Sequence, residues 1–281
     1  MSALYSHAKR VLGENRSAAI AFALLGALFV LAAFGPALAP FDPLETGAGG
    51  QLLPPSAQHW FGTDHVGRDI FSRVLCATRL DLLIAFSAVG LSGVLGTAIG
   101  SFAGFHGGWF DRVTGRVVDS IMAFPLFVLA MGIVAALGNT LANVVYATAL
   151  VNLPFYVRLS RAEVLRQRSA SYVDAAFLVG NGSTAVIARH VLPNILPPIA
   201  VQASLNLGWA VLNAAGLSFI GLGVRPPAAE WGIMVAEGAQ YVVSGQWWMC
   251  FFPGVALMGA VLCFNFIGDG LRDVLDPRQR Q

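Results

Sequence analysis

The sequence predicts an all-α integral membrane protein with six transmembrane helices, on three observations. Hydrophobic residues make up 56% of the 281 residues and charged residues only 11%, against about 25% charged in a soluble domain. The mean hydropathy is +0.68. Apolar stretches near the roughly 20 residues that cross the hydrocarbon as a helix fall at 17–39, 82–105, 117–138, 140–157, 196–217 and 248–268. The basic residues also segregate. With the N-terminus in the cytoplasm, the inner segments hold Lys9, Arg10, Arg16, Arg112, Arg116, Arg158, Arg161, Arg166, Arg168, Arg189, Arg272, Arg278 and Arg280, and the outer ones only Arg68, Arg73, Arg79 and Arg225. Cytoplasmic loops carry such an excess, so both termini are expected inside.

The chain then divides as follows: a cytoplasmic tail at 1–16, a first span at 17–39, a periplasmic segment at 40–81, a five-helix core at 82–270 and a cytoplasmic tail at 271–281. Lys9, Arg10 and Arg16 before an apolar run ending Ala37-Leu38-Ala39 imitate a signal peptide. The run exceeds the usual signal core, and Pro40 would follow the cut, so it reads as an uncleaved span. In the periplasmic segment Ile70, Phe71, Val74, Leu75 and Thr78 share one helical face and Arg68, Ser72, Arg73 and Arg79 the other. This is the pattern of an interfacial helix lying on the outer leaflet.

The second span carries Ser92, Gly96, Gly100 and Gly104 at four-residue spacing, a small-residue ridge that admits a close neighbour helix, in this chain or in a partner. Trp60, Trp109, Trp231, Trp247 and Trp248 lie near span ends as an aromatic belt, whereas Trp209 lies inside the fifth span and is expected to pack between helices. Weakly polar residues within or near the spans, Asn143, Asn152, Ser204, Asn206, Asn213 and Ser218, are candidates for a pore lining or for hydrogen bonds between helices.

Several functions are disfavoured. A net charge of +2 with one lysine gives no nucleic-acid surface. Cys76, Cys250 and Cys263 are scattered and suggest neither a disulfide framework nor a metal site. Gly90-Leu-Ser92-Gly93-Val-Leu-Gly96 resembles the serine motif of rhomboid proteases, but no histidine falls inside a span to act as base. A secondary transporter wants ionisable groups at mid-membrane, and Asp81, Asp119 and Asp269 sit near span ends. A P-loop needs Gly-Lys-Ser/Thr, and the single lysine is followed by Arg10.

The longest cytoplasmic loop, 158–195, breaks the apolar pattern. Ser171-Tyr-Val-Asp174 reads as a capping box with Ser171 as N-cap and Asp174 in the first turn. Tyr172, Phe177 and Leu178 supply apolar area. Gly180 is placed to end the helix in a left-handed conformation, Asn181-Gly182 continue the turn, and Ser183 or Thr184 caps a second short helix that Pro193 and Asn194 close. By pattern alone this is either an interfacial helix on the inner leaflet or a docking element for a soluble partner.

The order Asp174-Ala175-Ala176, Gly180, His190, Leu192-Pro193-Asn194 resembles the EAA loop of binding-protein-dependent ABC importer permeases, with Asp174 where members usually carry Glu. FGTDHVGRDIFSR, GRVVDSIMAFP, LSFIGLGVRPP followed by Trp231-Gly232, and FNFIGDGLRDVLDPR resemble the second permease subunit of the dipeptide/oligopeptide branch. The resemblance implies a type I ABC importer permease fold in the bacterial inner membrane, with 158–195 carrying a coupling helix. Tyr172, Asp174, Ala175, Ala176, Phe177 and Gly180 would then meet the ATPase. It also implies a paralogous permease partner, two ATPase subunits and a periplasmic or lipid-anchored binding protein. The chain itself would bind no cofactor, with ATP and Mg on the ATPases. Relatives import peptides, nickel chelates, glutathione or short saccharides.

Overall fold

The computed structural model describes residues 16–47 and 49–275, so the expected tails at 1–16 and 271–281 lie largely outside the described residues. Helix follows helix: α1 (Arg16–Leu38), α2 (Ile70–His106), α3 (Gly108–Met122), α4 (Leu126–Leu137), α5 (Leu141–Arg168), α6 (Ser171–Leu178), α7 (Ser183–Val186), a π-turn (Ile187–Val191), α8 (Leu192–Phe219), α9 (Trp231–Ala239) and α10 (Trp248–Leu275). Among the described residues the one β feature is an isolated bridge between Thr63 and Asp69. By length and apolarity α2, the run Ser183–Phe219 and α10 could each cross a membrane, and α3 with α4 would make a fourth span if counted together.

The elements differ from the sequence expectation in three places. The expected interfacial helix does not separate from the second span: α2 is one 37-residue helix from Ile70 to His106. Most of its polar face is turned inward, and of the four residues expected there only Arg79 is exposed. Ser72 and Arg73 are buried, as is Arg68 just ahead of the helix, because carboxylates from the preceding loop and from α9 neutralise the guanidinium groups. Arg68 pairs with Asp64 and with Glu237 (3.1 Å), and Arg73 Nη1 donates to the Pro43 carbonyl at 3.1 Å. Asp69 caps the helix, accepting from the Ser72 amide at 2.8 Å while its other oxygen meets His59 Nδ1 at 2.9 Å.

The expected third span, 117–138, is two helices meeting at 89°. Pro125 explains the break: it has no amide proton and disfavours helical backbone at Phe124. The third difference is that Pro193 and Asn194 do not close a short helix. Helix continues from Ser183 through the π-turn into α8, and Pro193 sits in the first turn after the π-turn, where the widened register relieves the missing amide.

Packing follows the small-residue ridge. A Cβ on Gly96 would lie 2.6 Å from Tyr156 Cβ, one on Gly104 2.8 Å from the Arg161 carbonyl, and one on Gly100 would overlap Ser160 and Val157. The ridge therefore serves contact between α2 and α5 within the chain. Ser92 is fully buried and donates to the Ala88 carbonyl of its own helix at 2.8 Å. One large apolar cluster joins α1, α2, α8, α9 and α10, and a second joins α2, α4, α5 and α8 with Trp209 packed against it. Trp231 and Trp248 are buried, and their indoles donate to Val74 (3.1 Å) and Thr63 (3.3 Å) carbonyls. Trp231 thus ties α9 to α2 and Trp248 ties α10 to the loop at Thr63, instead of forming a belt.

Candidate functional site

Helix α6 is short because each end is locally determined. Ala170, extended at φ −83° and ψ 141°, is the N-cap and no side chain caps the first turn; the expected capping box at Ser171 is not formed. Asp174 does fall in the first turn, where the helix dipole favours a carboxylate. At the other end Gly180 takes φ +88°. The Gly180 amide donates to the Phe177 carbonyl at 2.9 Å and the Asn181 amide to the Ala176 carbonyl at 3.2 Å. These two bonds define a Schellman motif. The Asn181 side chain donates to the same Ala176 carbonyl at 3.0 Å.

The helix is half seated. Val173 and Ala176 are buried with Phe105 of α2, Val164 of α5, Val186 of α7, Val191 of the π-turn and Ile195 of α8, a third apolar cluster separate from the two in the bundle. Asp174 and Ala175 face outward, and Tyr172 and Phe177 are partly open, with the Tyr172 hydroxyl donating to Gln167 at 2.8 Å. Leu178 and Val179 are 88% and 79% exposed. Of the six residues expected to meet a partner, Ala176 belongs to the seat. Val179 was missed: periodicity marks which residues could be apolar contacts, not which side the seat leaves open.

The pore candidates are mostly turned inward. Asn152, Ser204, Asn206, Asn213 and Ser218 are buried inside the chain's own bundle. Asn213 accepts from Thr148 across α5 and α8 at 3.4 Å, and Asn206 accepts from Gln202 at 2.9 Å. Asn143 donates to the Leu137 and Gly138 carbonyls, both at 2.9 Å, and closes the end of α4. The Asn213 contact runs between helices, whereas Asn206, Asn152 and Ser204 bond within their own helices.

Sequence reading also missed a buried acidic contact. Glu230 is fully buried and its two oxygens accept from the Gly232 (2.9 Å) and Ile233 (2.8 Å) amides, capping α9. It faces Asp81 of α2, which accepts from the Trp231 amide at 3.2 Å, and Ser218 sits beside it. Burial pushes the Glu230 carboxyl above its ordinary range. Asp64, His65 and Glu237 lie close enough together to share an ion, but both carboxylates already face Arg68 and Arg73.

Long apolar helices with a short helix seated on three of them, its outer side exposed, make a membrane-protein fold. The family follows from the sequence. Residues 96–281 match the binding-protein-dependent transport system inner membrane component, and residues 4–55 match the N-terminal TM domain of oligopeptide transport permease C. The chain belongs to this family of importer permeases. It is 47% identical to a probable D,D-dipeptide transport system permease protein of Escherichia coli K12, over 89% of this chain and 84% of that protein. It is 42% identical to a dipeptide transport system permease protein of Alkalihalophilus pseudofirmus, over 98% and 90%. It is 41% identical to the nickel transport system permease protein of Escherichia coli K12, over 95% and 96%. An import system of this class includes an ATPase and a substrate-binding protein.

Proposed function

We propose that this chain is the second permease of a short-peptide importer and docks its ATPase through α6. It pairs with a paralogous permease to form the translocation path, and two ATPase subunits carry the ATP and Mg. A periplasmic or lipid-anchored binding protein delivers the substrate. The observation that carries this reading is the division of α6 into a buried side and an exposed one. Val173 and Ala176 tie it to α2, α5 and α8, while Leu178 and Val179 stand open. Exposed leucine and valine beside a first-turn carboxylate suit a groove in a soluble protein, and Asp174, Tyr172, Ala175 and Phe177 complete that surface.

Six crossings are proposed: α1, α2, the bent pair α3 and α4, α5, α8 and α10, with both termini in the cytoplasm. Helix α5 carries Arg158, Arg161, Glu163, Arg166 and Arg168, yet its polar Thr148, Asn152 and Ser160 are buried, and its arginines gather toward the α6 end. The test is co-purification of the ATPase with the permease pair. Leu178→Asp should abolish ATPase capture while the two permeases stay together; full capture would remove α6 from the docking surface. For the substrate, a strain lacking its own peptide and nickel importers should gain labelled dipeptide uptake when the whole system is supplied. Nickel uptake without dipeptide uptake would favour the second reading, which the 41% identity to a nickel permease supports.

A further inference from the structure

Between α3 and α5 lies an open groove of about 360 Å³ whose charged lining is Asp111, Arg112, Arg116, Asp119, Arg158 and Arg161. Its two carboxylates are already engaged. Asp111 receives both Nε and Nη2 of Arg161, the latter at 2.7 Å, and Asp119 receives Arg158 Nη2 at 2.6 Å. Arg112 donates only Nε, to the Gly108 carbonyl at 3.3 Å, and among the described residues no hydrogen bond or ion pair engages the Arg116 guanidinium. Four guanidinium groups against two carboxylates leave two positive charges and most of the donors of Arg112 and Arg116 without a partner.

The rest of α3 says what should face them. Trp109, Val113 and Val117 recur at four-residue spacing and are all exposed, Trp109 at 71%. Arg112 and Arg116 form the neighbouring stripe, while Thr114 and Val118 are buried toward the protein. The 89° turn between α3 and the apolar α4 leaves α3 oblique to the membrane normal in the crossing the two share, with its exposed stripe toward the inner leaflet. An amphipathic helix so placed sinks its apolar stripe among acyl chains and holds its cations at headgroup level, and basic pockets between helices on the cytoplasmic side suit anionic headgroups.

We propose that this groove binds the phosphodiester headgroup of an anionic phospholipid, held by Arg112 and Arg116, with its acyl chains along Trp109, Val113 and Val117. A soluble phosphate would use the arginines and leave the apolar stripe idle, so the lipid is the occupant chosen. Nothing here depends on α6 or on which substrate is carried.

The full chain in phosphatidylcholine nanodiscs provides the test. Quenching of Trp109, taken as the difference from Trp109→Phe, is measured with acyl-brominated phosphatidylglycerol and with acyl-brominated phosphatidylcholine at equal mole fraction. The brominated phosphatidylglycerol should quench at about tenfold lower mole fraction, a preference erased in Arg112→Gln/Arg116→Gln and retained in Arg112→Lys/Arg116→Lys. Arg166→Gln, an exposed arginine paired with Glu163 outside the groove, should leave the preference intact. Equal quenching by both lipids in the wild type overturns the proposal, with no appeal to a variant's folding. A preference abolished by added inorganic phosphate would mark a site for a soluble anion and would overturn it too.

Discussion

Phe105, in the last turn of α2, faces Phe177 of α6 with ring centroids 6.2 Å apart. This contact is one edge of the cluster that also takes in Val164 and Ile195, so α6 touches the ends of three long helices at once. Displacing it without displacing them would open a void in a packed core, and packed cores resist that. The joint is therefore stiff, which the proposed coupling role requires.

Weakening the joint should separate docking from transport. Phe105→Ala removes a buried ring, a change that costs about 3–5 kcal/mol in a well-packed core, while leaving Leu178 and Val179 exposed at the proposed docking surface. ATPase co-purification should persist and uptake should fall by at least about tenfold at undiminished ATP turnover. A parallel loss of docking and uptake would mean that Phe105 supports the fold of α6 and not its linkage.

Gly180→Val attacks the other end. At φ +88° a β-branched residue is strained by roughly 1–3 kcal/mol, and the Schellman bonds that direct the chain into α7 would be lost. The spans make their own backbone hydrogen bonds and should still insert. Membrane levels and pairing with the second permease should stay near wild type while substrate uptake collapses. Normal uptake would reduce the loop to a surface helix.

What the sequence displayed and what it hid divide along physical lines. Gly180 was legible because a glycine after a helical run signals a left-handed close, and the structure has it there. The glycine ridge was legible as a close approach, but its partner Tyr156 was not, since spacing on one helix says nothing of which helix answers. Arg68, Ser72 and Arg73, read as the polar face of an interfacial helix, are buried, the two arginines against Asp64 and Glu237. Charge on an amphipathic helix looks the same whether water or distant carboxylates neutralise it. Glu230 and Asp81, brought together only by the fold, carry no local mark.

The ridge itself is open to measurement. Gly100→Ala places a methyl where Ser160 and the Val157 carbonyl already stand, and backbone cannot yield as a side chain can. Thermal stability in detergent should drop by about 1–3 kcal/mol. Ser92→Ala keeps the small volume and loses only a hydroxyl bonded within its own helix, so both stability and transport should stay close to wild type.

Topology is checked with single cysteines in a cysteine-free background. Thr63 is too buried to report, so the exposed Ala57 serves for the outer segment and Ser171 for the loop. An impermeant thiol reagent should label Ala57→Cys in intact cells and Ser171→Cys only after the membrane is opened. Labelling of Ser171→Cys in sealed cells would reverse the orientation.

The raised Glu230 carboxyl predicts a pH dependence with a definite sign. A carboxyl that holds its proton more tightly in the folded chain stabilises the fold fully below its unfolded value, about 4.3. That contribution is lost as the pH rises through the raised folded value. The melting temperature should therefore fall between mildly acidic and alkaline buffer, and Glu230→Gln should flatten the slope. Identical slopes in both proteins would show that Glu230 does not titrate in this range.

Helix α2 runs unbroken for 37 residues, about 55 Å at 1.5 Å per residue, against roughly 30 Å of hydrocarbon. Asp69 as its cap and the ion pairs of Arg68 and Arg73 with Asp64 and Glu237 clamp its first turn, and Phe105 ends it against α6. As one of the proposed crossings, this strut would have a fixed foot on each side of the bilayer. A binding protein pressing on the clamp and an ATPase gripping α6 would be pulling on the same rod, and neither could shift it without the other feeling the load.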